Sequence, residues 1–336
     1  MNWFKYFPEY LRNDLYISGE SYGGIYTPYL AWQIHQHNIA VKVKKAKTKL
    51  NLKGFIVGNG ATNWDYDVSP VFPDVVYNFN LIPTSLLDVY KSNGCINYFN
   101  DVHPPTNSTV CTDAWNKIND LWQGLNWYDL FRKVVPDGGL LKMNAAAEDR
   151  TRKVMIDGEE KTYKAGYTFL EYAPWLSKII PQHVLESSSH PLLGDYLSDY
   201  ANRPDVRQAL NIPTWVPAWS ECSDRVGNQW AYQYEGSFWI YKILQQYDYK
   251  ILFYSGDTDG AVPTYGTRTW IEKLNLNVKK PWAPWFTDDN QVSGYLIRYF
   301  GMDFATVHGV GHMAPQWKRK DVTKLFTNWI HDLPIN

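Results

Sequence analysis

A serine set between glycines, one step past a short apolar run, constrains this chain more than any other feature. Leu15-Tyr16-Ile17-Ser18 is apolar, aromatic and branched, as a buried strand is. Gly19-Glu20-Ser21-Tyr22-Gly23 follows it and fits G-x-S-x-G. From Tyr22 to His37, Ile25, Tyr29, Trp32 and Ile34 form an apolar face at helical spacing. Leu52 to Val57, LKGFIV, reads as a second strand, ended by Gly58-Asn59-Gly60. Strand, helix and strand in that order make the βαβ unit of a parallel sheet. The sharp turn strains the serine backbone, and Gly19 and Gly23 let neighbouring chain pass close. It also lifts the hydroxyl into solvent, with a helix N-terminus aimed at developing negative charge. Ser21 is therefore the candidate nucleophile.

The same alternation returns late in the chain. Tyr249 to Tyr254 reads as a strand, Thr264 to Leu274 as a helix, Ser293 to Val307 as a hairpin and Lys318 to Ile330 as a terminal helix. Trp3 to Leu11 reads as a short amphipathic helix at the other end. Between about Trp64 and Gln233 the pattern loosens into aromatics, prolines and short helical stretches. Asn116 to Val134 is the clearest helix there, with Ile118, Leu121, Trp122 and Leu125 on one face. The expected fold class is α/β: a mostly parallel sheet flanked by helices and split by a largely helical insertion. Residues 1–63 would carry the nucleophile half of the core, 64–235 the insertion, and 236–336 the half with the acid and histidine.

A serine nucleophile on such a turn needs an acid and then a histidine, each in a loop after a late strand. Gly256-Asp257-Thr258-Asp259-Gly260 follows one such strand, and His308-Gly309-Val310-Gly311-His312 another. Each loop holds two candidates. Asp257 sits just off its strand, where turn aspartates bond their own backbone. Position favours Asp259, which is further out, and His312, which follows a flexible Gly-x-Gly; Asp257 and His308 stay open.

The remaining features narrow the function classes. Lys+Arg (33) balances Asp+Glu (34) for a net charge of -1, so neither nucleic acid nor an anionic membrane is expected as partner. The one basic run, Lys42 to Lys49, reads as a solvated loop before a strand. No apolar stretch approaches the ~20 residues of a membrane span. No His/Cys/Asp cluster has metal-ligand spacing, so no metal or cofactor is expected. Cys95 and Cys111 are close enough for a local disulfide, which leaves Cys222 over. Asn107-Ser108-Thr109 is a glycosylation sequon. The first residues lack the basic-then-apolar pattern of a signal peptide.

Several stretches, in order, resemble the serine carboxypeptidase family on the α/β-hydrolase fold. They are FPEYLRNDLYISGESYGG, the GNG at Gly58 to Gly60, NWYD (Asn126 to Asp129), YANRPDVRQALNIP (Tyr200 to Pro213), WSECSDRV (Trp219 to Val226), YSGDTDGAVP and HGVGHMAP. The resemblance implies that Ser21, Asp259 and His312 form the triad, with the Tyr22 N–H as one oxyanion donor. It implies that Glu20 binds the free C-terminal carboxylate of a peptide, sharing a proton with it. Binding would then be tight at acid pH and weaken as pH rises. Met313 is a candidate pocket wall. The implied reaction is release of C-terminal residues through an acyl-enzyme, with acyl transfer to an alcohol or amine, or a non-catalytic homologue, as alternatives. The family also carries a glycine-rich segment, N-G-G-P-G-C-S-S, before the nucleophile. No such segment is found here, so the chain is expected to lack the usual N-terminal part. Cys222 sits where the partner of that segment's cysteine would be. The resemblance places the full-length protein in lysosome or vacuole, or outside the cell.

Overall fold

The computed structural model describes residues 2–95, 108–122, 124–132, 151–156, 159–164, 200–220, 229, 231, 235–287 and 290–335. It divides into two compact units, Met1–Phe131 with Gln233–Asn336, and Arg132–Tyr232.

In the first unit the chain opens with helix α1 (Asn2–Tyr6) and a 3₁₀ turn, Pro8–Arg12. The single helix read over Trp3–Leu11 is broken because proline disfavours helical geometry in the residue before it; Phe7 sits at φ -128°, ψ 63°. Strand β1 (Leu15–Glu20), helix α2 (Gly23–Lys42) and strand β2 (Leu52–Gly58) form the expected parallel unit, with Tyr16 to Glu20 in register with Gly54 to Gly58. Helix α2 runs past His37 and through Pro28. That proline has no N–H for the Gly24 carbonyl, and the Ser237 hydroxyl donates to it instead, at 2.6 Å.

Helices α3 (Phe72–Asn78), α4 (Thr84–Ser92) and α5 (Thr109–Trp122) enclose a separate apolar cluster around Phe72, Tyr90 and Ile118. Helix α5 lies earlier than the stretch read from Asn116 to Val134. Ser108 caps its start, its hydroxyl accepting from the Cys111 N–H at 3.3 Å, and Gly124 at φ +86° stands just beyond its end. Leu121 is exposed and Leu125 lies past the helix, so Ile118, fully buried, and Trp122, edge-on to Phe72 at 5.4 Å, are the members of the expected face that reach the core. Cys95 and Cys111 form a disulfide inside this cluster, 16 residues apart in sequence. Replacing both by alanine should lower unfolding stability by about 3 kcal/mol, the value for closing a loop of that size. Denaturant titration checks this; an unchanged midpoint would show that the crosslink contributes nothing.

In the second unit, β3 (Thr151–Ile156) pairs antiparallel with β4 (Glu159–Lys164). Helix α6 (Pro204–Ala209) is tied to the loop after it, where Asn202 exchanges bonds of 2.8 and 2.6 Å with the Trp219 backbone and Arg207 donates to the Val216 carbonyl at 2.6 Å.

Back in the first unit come α7 (Phe238–Leu244), β5 (Lys250–Gly256), α8 (Thr264–Lys273), β6 (Val278–Phe286), β7 (Val292–Tyr299), β8 (Asp303–Val307), α9 (Ala314–Trp317) and α10 (Arg319–Ile330). The sheet order is β1-β2-β5-β8-β7-β6, parallel from β1 to β8 and antiparallel beyond. Strand β6 has no counterpart in the sequence reading; its Pro281 and Pro284 are poor strand residues. It is an edge strand whose register shifts between Lys280 and Ala283, around Pro281, and edges and bulges are where a sheet tolerates proline.

Alternate residues of the central strands feed two cores. Phe55, Val57, Ile251, Phe253 and Phe304 pack with Ala31, Tyr241 and Trp270 from α2, α7 and α8. Ile56, Leu252, Tyr254, Ala305 and Val307 pack with Trp317, Leu325 and Trp329 on the other face. Among the described residues no helix is long and apolar enough to cross a membrane.

Candidate active site

Parallel strands end on one side of their sheet, so the loops after β1, β2, β5 and β8 share an edge. Those loops begin at Ser21, Asn59, Asp257 and His308. Ser21 has φ +62°, a conformation that costs a residue with a side chain, and three backbone hydrogen bonds hold it there. Its N–H donates to the Gly58 carbonyl at 3.0 Å; its carbonyl accepts from Gly24 at 2.9 Å and Ala61 at 3.1 Å. Helix α2 starts two residues later, which puts its N-terminus at the turn. Of the two motif glycines, Gly19 is the crowded one: a Cβ there would collide with the Thr27 hydroxyl and lie 3.2 Å from the Gly23 Cα. A Cβ on Gly23 would meet only the Thr27 hydroxyl, at 3.9 Å. The second close approach falls instead on Gly24, whose Cβ would strike the backbone at Gly60 and Ala61.

Of the four acid–histidine combinations left open by the sequence, two are made, as separate pairs. Asp259 Oδ2 lies 2.7 Å from His312 Nδ1, and Asp257 Oδ2 lies 2.7 Å from His308 Nδ1. Burial separates them. Asp259 and His312 are 1% and 2% exposed, whereas the His308 side chain is 61% exposed. The remaining ring nitrogen of His312, Nε2, is buried with no hydrogen-bond partner among the described residues. Asp259 is held from three sides: Oδ1 accepts from the Ala261 N–H at 2.7 Å, and Oδ2 from Asn59 Nδ2 at 2.8 Å as well as from His312.

Asn59 belongs to the site and has no role in the sequence reading. It is fully buried at φ +41°, and its Oδ1 takes the Gly256 N–H at 3.0 Å while its Nδ2 holds Asp259. Its place after a strand and between glycines marks a turn, and asparagine tolerates positive φ. Nothing local says that its amide faces a carboxylate 200 positions away.

Charge ties the elbow to the acid–histidine pair. Burial pushes the Glu20 carboxyl up, His312 pulls it down and Asp259 pushes it up again, leaving it at about 7. Burial lowers His312, but the charge of Asp259, its hydrogen bond and the charge of Glu20 together hold the imidazole above its ordinary value. Met313 is half-buried against the cluster that contains Tyr254 and Trp317. Asn107 and Cys222 lie outside the described residues.

A model of the serine carboxypeptidase family matches residues 1–332. Serine carboxypeptidase-like 26 of rice (Oryza sativa subsp. japonica) is 31% identical over 98% of this chain and 62% of its own length. Serine carboxypeptidase 24 of Arabidopsis thaliana is 31% identical over 98% of this chain and 64% of its own. The chain thus spans less than two thirds of these relatives. Among solved structures, Kex1ΔP, a prohormone-processing carboxypeptidase from Saccharomyces cerevisiae, superposes with a TM-score of 0.65 at 19% identity, covering 98% of this chain and 65% of that one. At that identity the likeness speaks for the α/β-hydrolase fold alone.

Proposed function

The chain belongs to the serine carboxypeptidase family, and on that premise we propose that it releases C-terminal residues from peptides by acyl-enzyme chemistry on Ser21. The observation that carries this is the buried 2.7 Å contact of Asp259 with His312 Nδ1, which leaves Nε2 for a hydroxyl proton. In the proposed reaction His312 takes the Ser21 proton as the oxygen attacks the last peptide carbonyl. Asp259 fixes the tautomer with the free pair on Nε2 and stabilises the imidazolium. The Tyr22 N–H, at the head of α2, stabilises the oxyanion. His312 then gives its proton to the departing amine, and water, activated by the same imidazole, releases the acyl group. The catalytic domain is discontinuous in this reading: residues 1–63 bring the nucleophile, and 236–336 the acid and base. The Cys95–Cys111 disulfide favours an oxidising compartment, such as vacuole or extracellular space, for the full-length protein.

Glu20 makes the specificity testable. Below about 7 its carboxyl is protonated and can donate to a substrate carboxylate; above that value it is ionised and repels one. Protonation also removes one of the charges that raise His312, so the imidazole is freed as a base in the same step. The KM for peptides with a free C-terminus should therefore rise with pH through about 7, by up to about ten-fold per unit. Glu20→Gln, always neutral and always a donor, should flatten that rise. An unchanged KM profile in the variant would remove Glu20 from substrate binding.

The reaction itself is tested with an N-blocked dipeptide, its C-terminal amide, and an added alcohol, at mildly acid pH. Release of the free amino acid from the dipeptide, with the amide much slower, is the expected result. Ester formation with no hydrolysis would make the protein an acyltransferase instead.

A further inference from the structure

The acid and histidine loops are rich in glycine, yet their side chains must meet within a few tenths of an ångström. A third loop, Asn126 to Phe131, touches both. The Leu130 N–H donates to the Thr258 carbonyl at 2.9 Å, and the Gly260 N–H to the Trp127 carbonyl at 3.1 Å. The His312 N–H donates to the Tyr128 carbonyl at 2.6 Å, and the tyrosine ring lies 5.0 Å from the imidazole. At the centre is Asp129, 3% exposed. Its Oδ1 accepts from the Thr258 hydroxyl at 2.7 Å and the Phe131 N–H at 3.2 Å; its Oδ2 accepts from the Gly311 N–H at 3.2 Å.

Thr258 immediately precedes Asp259, and Gly311 immediately precedes His312. One buried carboxylate thus grips the neighbour of the acid with one oxygen and the neighbour of the base with the other. Gly311 lies so close that a Cβ there would run into the Tyr128 carbonyl and sit 2.6 Å from the Asp129 Cβ. Asn126 shapes the turn that presents this carboxylate: its side-chain oxygen accepts from the Tyr128 N–H at 3.0 Å and its carbonyl from the Asp129 N–H at 3.1 Å. We propose that Asp129 is a positioning residue that sets the distance between Asp259 and His312 by tethering the residue before each. This rests on the triad reading above. Only a carboxylate can do it fully. An asparagine has one acceptor oxygen, so its NH₂ must face either the Gly311 or the Phe131 N–H, donor against donor.

The test uses Asp129→Asn and Thr258→Val, the latter removing one hydroxyl at nearly constant shape, so that it carries the test should Asp129→Asn fail to fold. Rates are normalised to sites titrated with a fluorophosphonate, which removes any effect of unfolded protein. Asp129→Asn should lower kcat per titrated site about 10- to 100-fold with KM within about two-fold, as expected of a small misplacement of reacting groups. Thr258→Val should show the same split at about three-fold or more. Loosening the Asp259 contact should also move the acid limb of the kcat/KM profile to lower pH, since that contact raises the imidazole. The proton resonance of the His312–Asp259 hydrogen bond, followed in the resting protein without substrate, should shift or broaden in both variants. Unchanged per-site kcat, acid limb and resonance would overturn the proposal. Should the wild-type protein neither hydrolyse peptide nor take the probe, the carboxypeptidase reading fails; the resonance still decides the role of Asp129, a shift in Asp129→Asn supporting it and an unmoved line refuting it.

Discussion

Ser21→Ala should lower kcat for peptide hydrolysis by about a million-fold, leaving the residual rate that binding and oxyanion donors supply without a nucleophile. The expected size follows from what the side chain lacks as much as from what it does. The hydrogen bonds that fix the elbow, from Ser21 to Gly58, Gly24 and Ala61, all use backbone atoms. Deleting the hydroxyl therefore leaves the turn intact and removes the attacking atom alone. KM for a C-terminal peptide should stay within about two-fold, because the proposed grip of Glu20 on the carboxylate does not involve the Ser21 hydroxyl. Alanine meets the same penalty as serine at φ +62°, and Ser21→Gly, which meets none, serves as a control for strain. A Ser21→Ala variant that kept even a hundredth of the activity would assign the chemistry to another residue.

Asp259→Asn should cost about 10⁴-fold in kcat, the loss expected when the imidazole is held in the wrong tautomer. Asp259 Oδ2 accepts from both His312 Nδ1 and Asn59 Nδ2, and Oδ1 accepts from Ala261. An amide cannot accept at all three. Whichever way it turns, an N–H faces a donor, and the arrangement that satisfies Ala261 leaves the NH₂ toward His312. The ring then keeps its proton on Nε2, where the Ser21 proton should go. Asp257→Asn makes the same chemical exchange in the exposed pair with His308 and should leave kcat within about two-fold. The two variants together settle what sequence position left open. Loss of activity in Asp257→Asn, with Asp259→Asn unaffected, would reverse the assignment.

What the sequence revealed was local or periodic. The strand, elbow and helix around Ser21 could be read because their signals lie within a dozen residues of each other. The late strands at Lys250–Gly256 and Asp303–Val307 alternate cleanly between two cores; the first is read within two residues of its observed limits, and the hairpin that ends with the second within one. What escaped was either a local rule overridden by context or a contact across the chain. Strand β6 carries two prolines that its edge position and its register shift accommodate. The pairing of β3 with β4 did have a local signal, Asp157-Gly158 between two runs, but those runs, TRKVMI and EEKTYK, are too rich in charge to show a clean apolar alternation. Gly24 lies in an ordinary helical stretch of sequence, and only the fold brings the Ala61 backbone against it. Asn59 and Asp129 sit in segments that the family resemblance had already marked, but their partners are 200 and 129 positions away. No window of sequence shows such a pair.

The central claim is that the Ser21 hydroxyl is activated by an imidazole that Asp259 orients. It is tested most directly by treating the protein with a fluorophosphonate and locating the adduct by mass spectrometry across pH. The account predicts a single adduct, on Ser21, forming more slowly as falling pH protonates His312 and lost in His312→Gln. No adduct on Ser21, or one that forms equally fast without the imidazole, would contradict it.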